Sequence, residues 1–334
     1  MDSWLQRVWY GRSRWAAALW PLSLLFRAIS ALRRWGFSVG VLRRIRVSKP
    51  VVVIGNITVG GTGKTPLVIW LAEELRWRGH RPGIITRGYG GSSPSWPKEV
   101  NASSHAAVVG DEAVLLATRG KTIVIAGPDR VAAAEAAIKL GATVILSDDG
   151  LQHYRLRRDF EIAVLDGKRG VGNGYLLPAG PLRESTRRLD SVDAVIVTQR
   201  ADDNVAYSLS RPRSFTARNE IRDAWSLTTR EIRPLSRFAD ANHHAIAGIG
   251  HPEAFFDGLR HAGLRVDGRA LPDHAAIRPE DLQFAGTGAI FMTEKDAVKC
   301  RAFANDRCWV VPLHVEVAEG DRLLEAILRV IGTP

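Results

Sequence analysis

The chain has 334 residues, 46% of them hydrophobic and 24% charged, which allows one large domain or two moderate ones and excludes an intrinsically disordered protein. Its 46 basic and 35 acidic residues leave a net charge of +11, which favours anionic partners such as nucleotides, nucleic acids or lipid headgroups, though an arginine excess equally suits a GC-rich genome. Only Cys300 and Cys308 carry thiols, so neither a zinc pattern nor a disulfide framework is present, and a reducing compartment is expected.

Residues 1–36 read as an amphipathic, membrane-associated segment. Trp4, Trp9, Trp15, Trp20 and Trp35 are interleaved with Arg7, Arg12, Arg14, Arg27, Arg33 and Arg34, and Asp2 is the only acid before residue 70. Indole rings and guanidinium groups suit the headgroup boundary of a bilayer. The longest uncharged apolar stretch, Ala16 to Phe26, is interrupted by Pro21 and is about half of the roughly 20 residues needed to span a membrane. Three readings stay open: an interfacial anchor, a helix packed on the protein's own core with snorkelling arginines, and a cleaved signal peptide.

The β-branched run Val51 to Ile54 predicts a buried parallel strand. It leads into Gly55-Asn56-Ile57-Thr58-Val59-Gly60-Gly61-Thr62-Gly63-Lys64-Thr65, and Pro66 to Leu75 follows as a helix. Strand, glycine-rich loop, Lys-Thr and helix are the context of a phosphate-binding loop. Gly60, Gly61, Thr62 and Gly63 would wrap backbone N–H groups around phosphates. Lys64 would reach the β- and γ-phosphates of ATP, and Thr65 would ligate Mg²⁺. Strict spacing asks for glycine where Thr58 stands, so the loop is a variant.

A second strand, Gly83 to Thr86, runs into Arg87-Gly88-Tyr89-Gly90-Gly91, where Arg87 is a phosphate or substrate clamp or else a solvated loop arginine. Gly110-Asp111-Glu112 opens an apolar helix. Acids there are either favourable caps or a catalytic carboxylate. Strands at Thr122 to Ile125 and Thr143 to Leu146 flank an alanine-rich helix, Val131 to Lys139. The second of these strands ends in Asp148-Asp149, the pattern of an Mg²⁺-orienting carboxylate, with Asp166 after Glu161 to Leu165 as the rival. Ser191 to Thr198 adds another strand. Alternating strands and helices predict a doubly wound, mostly parallel α/β sheet of P-loop NTPase type across residues 37–235. The pattern restarts at about residue 240, and residues 236–334 are expected to form a smaller C-terminal α/β domain. Two domains around a cleft suit a kinase that must keep water from ATP.

Taken in order, Gly55 to Pro66, Arg87-Gly88-Tyr89-Gly90, Gly110-Asp111-Glu112 and Asp148-Asp149-Gly150-Leu151-Gln152-His153 form a set with two later runs. These are Leu177 to Glu184 and Thr293-Glu294-Lys295-Asp296-Ala297-Val298-Lys299. The set resembles the tetraacyldisaccharide 4'-kinase family of lipid A biosynthesis along nearly the whole chain. The resemblance implies transfer of the ATP γ-phosphate to the 4'-hydroxyl of a tetraacylated glucosamine disaccharide 1-phosphate, at the cytoplasmic face of a Gram-negative inner membrane. It implies a P-loop core and a smaller C-terminal domain joined by a short β linker. It assigns catalysis to Asp111, paired with His274 of Asp273-His274, and ATP and Mg²⁺ to Lys64, Thr65, Asp148 and Asp149. Arg87, Glu112, Arg183 and Glu184 would line the acceptor side. Where many relatives have a second histidine, this chain has Ala275. The alternative is a membrane-associated P-loop ATPase switch with no lipid acceptor. A nucleic-acid partner is not expected, because the aromatic and basic residues cluster in one short segment rather than on a folded face.

Overall fold

A computed structural model describes residues 3–11, 13–200, 213–273 and 275–333. Two helices come first, α1 (Ser3–Tyr10) and α2 (Trp15–Ser38). Then follow β1 (Val51–Gly55), α3 (Lys64–Trp77), β2 (Pro82–Thr86), β3 (Lys98–Val100), α4 (Ala106–Val109), α5 (Asp111–Gly120), β4 (Ile123–Ala126) and α6 (Arg130–Lys139). Next are β5 (Val144–Asp148), β6 (Phe160–Asp166), β7 (Ala194–Arg200), β8 (Ser214–Glu220), β9 (Asp223–Ser226), β10 (Ile232–Pro234) and β11 (Asn242–Ala247). The chain closes with α7 (Pro252–His261), β12 (Arg265–Ala270), β13 (Ile290–Thr293), α8 (Glu294–Cys300), β14 (Cys308–Val311), β15 (His314–Val317) and α9 (Gly320–Ile331).

Nine strands form the large sheet in the order β15-β8-β7-β6-β1-β5-β2-β4-β3. All neighbours are parallel except the two edge pairs, β15 with β8 and β3 with β4. Side chains alternate across the pleat, so the uniformly apolar strands serve two cores. From β1, Val52 and Ile54 join α3, α5 and α9 on one face, while Val51 and Val53 join the alanine face of α6 on the other. Sheet order reverses at β1, which sits between β5 and β6, and the carboxyl ends of strands at such a reversal are where open α/β sheets bind ligands.

Six strands form a second sheet, β10-β9-β14-β13-β11-β12, around Phe256, Phe291 and Trp309 on one face and Ile246, Met292 and Cys300 on the other. Strand pairing divides the chain differently from the expected boundary at residue 236. β9 and β10 already belong to the second sheet, and β15 and α9 return to the first. The reason is that the two crossings run side by side, bounded by the antiparallel pairs His314–Glu220 and Val310–Trp225.

α2 continues through Pro21, whose ring is exposed. Ala16, Ser23 and Phe37 are buried and fall on a seven-residue spacing, so one stripe docks while the rest faces outward. Ser23 donates its hydroxyl to the Leu176 carbonyl (2.7 Å) and accepts from the Ala179 amide (3.0 Å). On α1, buried Trp9 donates its indole N–H to the Pro178 carbonyl (2.9 Å). Away from that stripe Trp15, Trp20, Leu22, Leu25, Ile29, Leu32 and Trp35 are exposed. By length and composition α2 could cross a membrane: it has 24 residues, with a mean hydropathy of 1.4 over its most apolar window.

Candidate active site

The glycine-rich loop joins β1 to α3 at the sheet's reversal point. Gly63 holds φ at +75° just before the helix, a conformation that side chains with a Cβ disfavour. Around it, Asn56 donates to the Gly60 carbonyl (3.2 Å), and Thr198 on β7 donates its hydroxyl to the Thr62 carbonyl (3.0 Å). Thr65 is buried at the first turn of α3, whose N-terminal amides add partial positive charge. Gly61 faces open space.

The two aspartates at the end of β5 differ sharply. Asp149, at φ +49°, turns out of the strand. Its Oδ1 lies 3.4 Å from Lys64 Nζ and its Oδ2 lies 3.0 Å from Arg183 Nη1. Burial opposes its ionisation, but Lys64 and Arg183 override that and hold its carboxyl well below the usual range. Asp148 is buried, and its Oδ1 has no hydrogen-bond partner. Burial, and then the neighbouring charges of Glu112 and Asp149, push its carboxyl well above the usual range against the pull of Lys64 and Arg130. An unpartnered, buried carboxyl oxygen within the field of Lys64 suits a hard cation shared with phosphate oxygens. Among the described residues no group of three or more His, Cys, Asp or Glu converges to hold a metal unaided.

Arg130, at the start of α6, is buried and donates to the carbonyls of Gly127 (2.9 Å) and Asp148 (3.1 Å). Burial lowers its pKa to about 10, so it stays cationic at neutral pH. Burial, together with Arg130 and Arg87, lowers His153 to about 4, so that ring is neutral. Arg87 itself is exposed at the end of β2. Glu184 faces inward: its Oε1 accepts from Gln152 (3.0 Å), and its Oε2 accepts from Tyr154 and lies 3.6 Å from Arg188 Nε.

The loop after β2 touches the start of α5 backbone to backbone. A Cβ on Gly110, which has φ +91°, would lie 2.4 Å from the Tyr89 carbonyl oxygen, so glycine is required there. This contact sets Asp111 and Glu112 at the helix start. Asp111 is 6% exposed. Its Oδ1 accepts from the Glu112 amide (2.8 Å), and its Oδ2 lies 3.8 Å from Lys299 Nζ. Glu112 pairs with Lys295, and Glu294 with Arg119 (2.7 Å). Burial lowers the Lys295 pKa, but Glu112, Asp111 and Asp273 outweigh it, and the net shift is upward. His274 lies outside the described residues. Its neighbour Asp273 sits close to Gly250 and within the field of Lys295.

The structure thus joins Lys64 and Arg183 through Asp149, sets Asp148 within the fields of Lys64 and Glu112, and places Thr65 directly after Lys64 and Asp111 directly before Glu112. Asp148 ends β5 and Asp149 follows it, while their rival Asp166 ends β6. Asp166 instead accepts from the amides of Lys168 and Arg169 (both 3.0 Å). Sequence reasoning gave no role to Lys295, Lys299, Arg130 or Thr198. Two lysines four residues apart share a helix face, and that spacing was the available signal for the first pair.

A doubly wound sheet with a glycine-rich loop at its reversal point, a helix-start Lys-Thr and paired strand-end aspartates defines a P-loop phosphotransferase. The model of the tetraacyldisaccharide-1-P 4'-kinase (LpxK) family matches residues 15–332. Tetraacyldisaccharide 4'-kinases from Nitrosococcus oceani and Thiobacillus denitrificans are 46% and 47% identical. The alignments cover 95% and 93% of this chain and 91% and 94% of theirs. The crystal structure at 2.2 Å of the "apo" form of LpxK from Aquifex aeolicus in complex with ATP superposes with a TM-score of 0.82. It is 27% identical and covers 95% of this chain and 99% of its own. The chain belongs to the tetraacyldisaccharide-1-P 4'-kinase family and is an ATP-dependent kinase.

Proposed function

We propose that this chain transfers the γ-phosphate of ATP to the 4'-hydroxyl of a tetraacylated disaccharide 1-phosphate, a lipid A precursor, at the cytoplasmic face of the inner membrane. The reading rests on one observation above all. Lys64 leans on Asp149 at the mouth of the glycine-rich loop, while Asp148 keeps a buried oxygen without a partner beside it. That is a cradle for phosphate oxygens with a place for their counter-ion.

In the reaction the acceptor oxygen bonds to the γ-phosphorus, the bond from phosphorus to the β–γ bridging oxygen breaks, and ADP departs with that electron pair. The acceptor proton passes to Asp111. An alcohol is a poor nucleophile, and a carboxylate within hydrogen-bond reach accepts its proton as the new bond forms. His274 would orient that carboxylate. Lys64 and the loop amides stabilise charge spreading over the γ-oxygens. Mg²⁺, held by Thr65 and Asp148, would neutralise β- and γ-phosphate charge. Asp149 holds Lys64 and Arg183 in place, and Arg87 and Glu112 line the acceptor side. Glu184 acts from behind, through Gln152 and Tyr154. The exposed apolar row of α2 would enter the lipid surface from which the acceptor is drawn. Family membership does not favour the alternative of an ATPase switch without an acceptor.

The test incubates the protein with γ-labelled ATP and a detergent-dispersed tetraacyl disaccharide 1-phosphate. Label is expected on the lipid. Asp111→Asn should cut that transfer by about 10²- to 10⁴-fold and leave ATP binding intact. Release of labelled phosphate with none on the lipid would sink the proposal.

A further inference from the structure

Helix α8 is built on the second sheet, yet its polar face is spent on the first. Lys299 projects from α8 to lie 3.8 Å from Asp111 Oδ2 and 3.3 Å from Asp296 Oδ1. All three side chains are shielded: Lys299 is 11% exposed, Asp111 7% and Asp296 not at all. Asp296 is fully engaged by its own unit. Its Oδ2 accepts from the Thr293 hydroxyl (2.6 Å) and from the Gly248 amide at the end of β11 (3.1 Å). A buried carboxylate with three donors is a rigid post, and the ammonium it holds is rigid in turn.

We propose that Lys299 is a positioning residue for phosphoryl transfer: anchored by Asp296, it aims Asp111 and keeps it in the carboxylate form that accepts the acceptor's proton. The inference rests on the reading of Asp111 given above. A cation at this distance in a shielded place favours the ionised form of a carboxyl. Among the described residues, the charges near Asp111 include Glu112 on its own helix and Lys295 and Asp296 on α8, with Asp273 on the loop after β12 acting on Lys295. Lys295 pairs with Glu112 and also feels Asp111, while Lys299 lies 3.8 Å from the Asp111 carboxylate itself. Removing Lys299 would take a near cation from Asp111 and leave the Asp296 charge less screened, and both changes disfavour ionisation of Asp111. Because Lys299 and Asp296 ride on the second sheet, the general base is complete only when that sheet is packed on α5.

The test compares Lys299→Met and Lys299→Arg with the unaltered protein, measuring kcat against pH, KM for ATP and the melting temperature. Lys299→Met should lower kcat at neutral pH by about 10-fold or more, with KM for ATP unchanged. It should also move the acidic limb of the kcat profile up by about one pH unit. Lys299→Arg, which keeps the charge, should return the limb toward its original place. If Lys299→Met melts too low for assay, Lys299→Gln carries the same comparison. A limb that stays put in the neutral variants, whether or not kcat falls, overturns the inference. Asp111→Asn separates the two levels. If it transfers phosphate at the normal rate, the assignment of Asp111 has failed. If it is inactive while Lys299→Met keeps both rate and profile, only the role of Lys299 has failed.

Discussion

The two sheets supply the candidate site in different ways. The large sheet delivers its charges at the ends of adjacent parallel strands: Lys64 at the far side of the loop that leaves β1, Asp148 as the last residue of β5 and Asp149 directly after it. The second sheet delivers Lys295 and Lys299 from one short helix, across a packing contact with α5. Strand ends in a doubly wound sheet are fixed by local hydrogen bonding, so motif and position travel together. A helix that reaches across from another sheet depends on how two units pack, and its charged residues carry no local sign of that. The first kind of site can be read along the chain, and the second only in three dimensions.

The largest effect should come from the strand-end side. Lys64→Ala removes the cation proposed to meet the β- and γ-phosphates. Lipid phosphorylation should fall by about 10³-fold, the scale of a preorganised charge at a transition state. The measurement is kcat/KM for label transfer to the dispersed lipid. An undiminished rate would mean that the strand ends do not hold the nucleotide and would erase the contrast between the sheets.

The same contrast explains what the sequence revealed. Val51 to Ile54 and Val144 to Leu146 were legible as buried strands because both faces of the sheet are covered, and their side chains are apolar throughout. Gly60 to Thr65 was legible because its backbone needs are local. Strands β8, β9, β10, β12 and β15 escaped notice because they are edge or linking strands with polar faces; β12, for example, exposes Arg265, Asp267, Arg269 and Ala270. The return of β15 and α9 to the first sheet is a long-range pairing that no local pattern encodes. Lys299 and Asp296 were visible only as part of a familiar run of letters. Their chemistry comes from Asp111, 188 positions earlier in the numbering.

A second way to sharpen the comparison asks which strand-end charges on the large sheet serve structure alone. Glu161 on β6 accepts from Arg158 (2.9 Å) and from Arg188, and its side chain is 13% exposed. Burial raises its pKa, but the two arginines outweigh burial and bring it below its ordinary value of 4.5. A carboxyl with a depressed folded-state pKa adds stability above its unfolded value and loses it as pH falls through the folded one. Glu161→Gln should therefore destabilise the protein at pH 7 by about 3 kcal/mol, the usual scale for breaking a shielded pair. The deficit should shrink as the pH is taken below 4. Denaturant unfolding at several pH values measures it. A deficit independent of pH would show that lost packing, not charge, carries the effect.

The smallest effect is the most discriminating, because it separates two adjacent residues. Asp149 spends both oxygens on Lys64 and Arg183, whereas Asp148 has an oxygen with no partner. If Asp148 holds Mg²⁺, Asp148→Asn should raise the Mg²⁺ concentration for half-maximal activity by about 10- to 100-fold. Asp149→Asn should leave that concentration alone and lower turnover by releasing Lys64. Titrating Mg²⁺ at saturating ATP for both variants decides the matter. The reverse result would make Asp149 the metal's carboxylate. The geometry argues against that, since moving Asp149 to a cation would strip Lys64 and Arg183 of the partner that holds them beside the loop. Strand β5 places two carboxyl groups side by side, and the turn at Asp149 sends that one to Lys64 and Arg183 while Asp148 stays buried with an oxygen unpartnered.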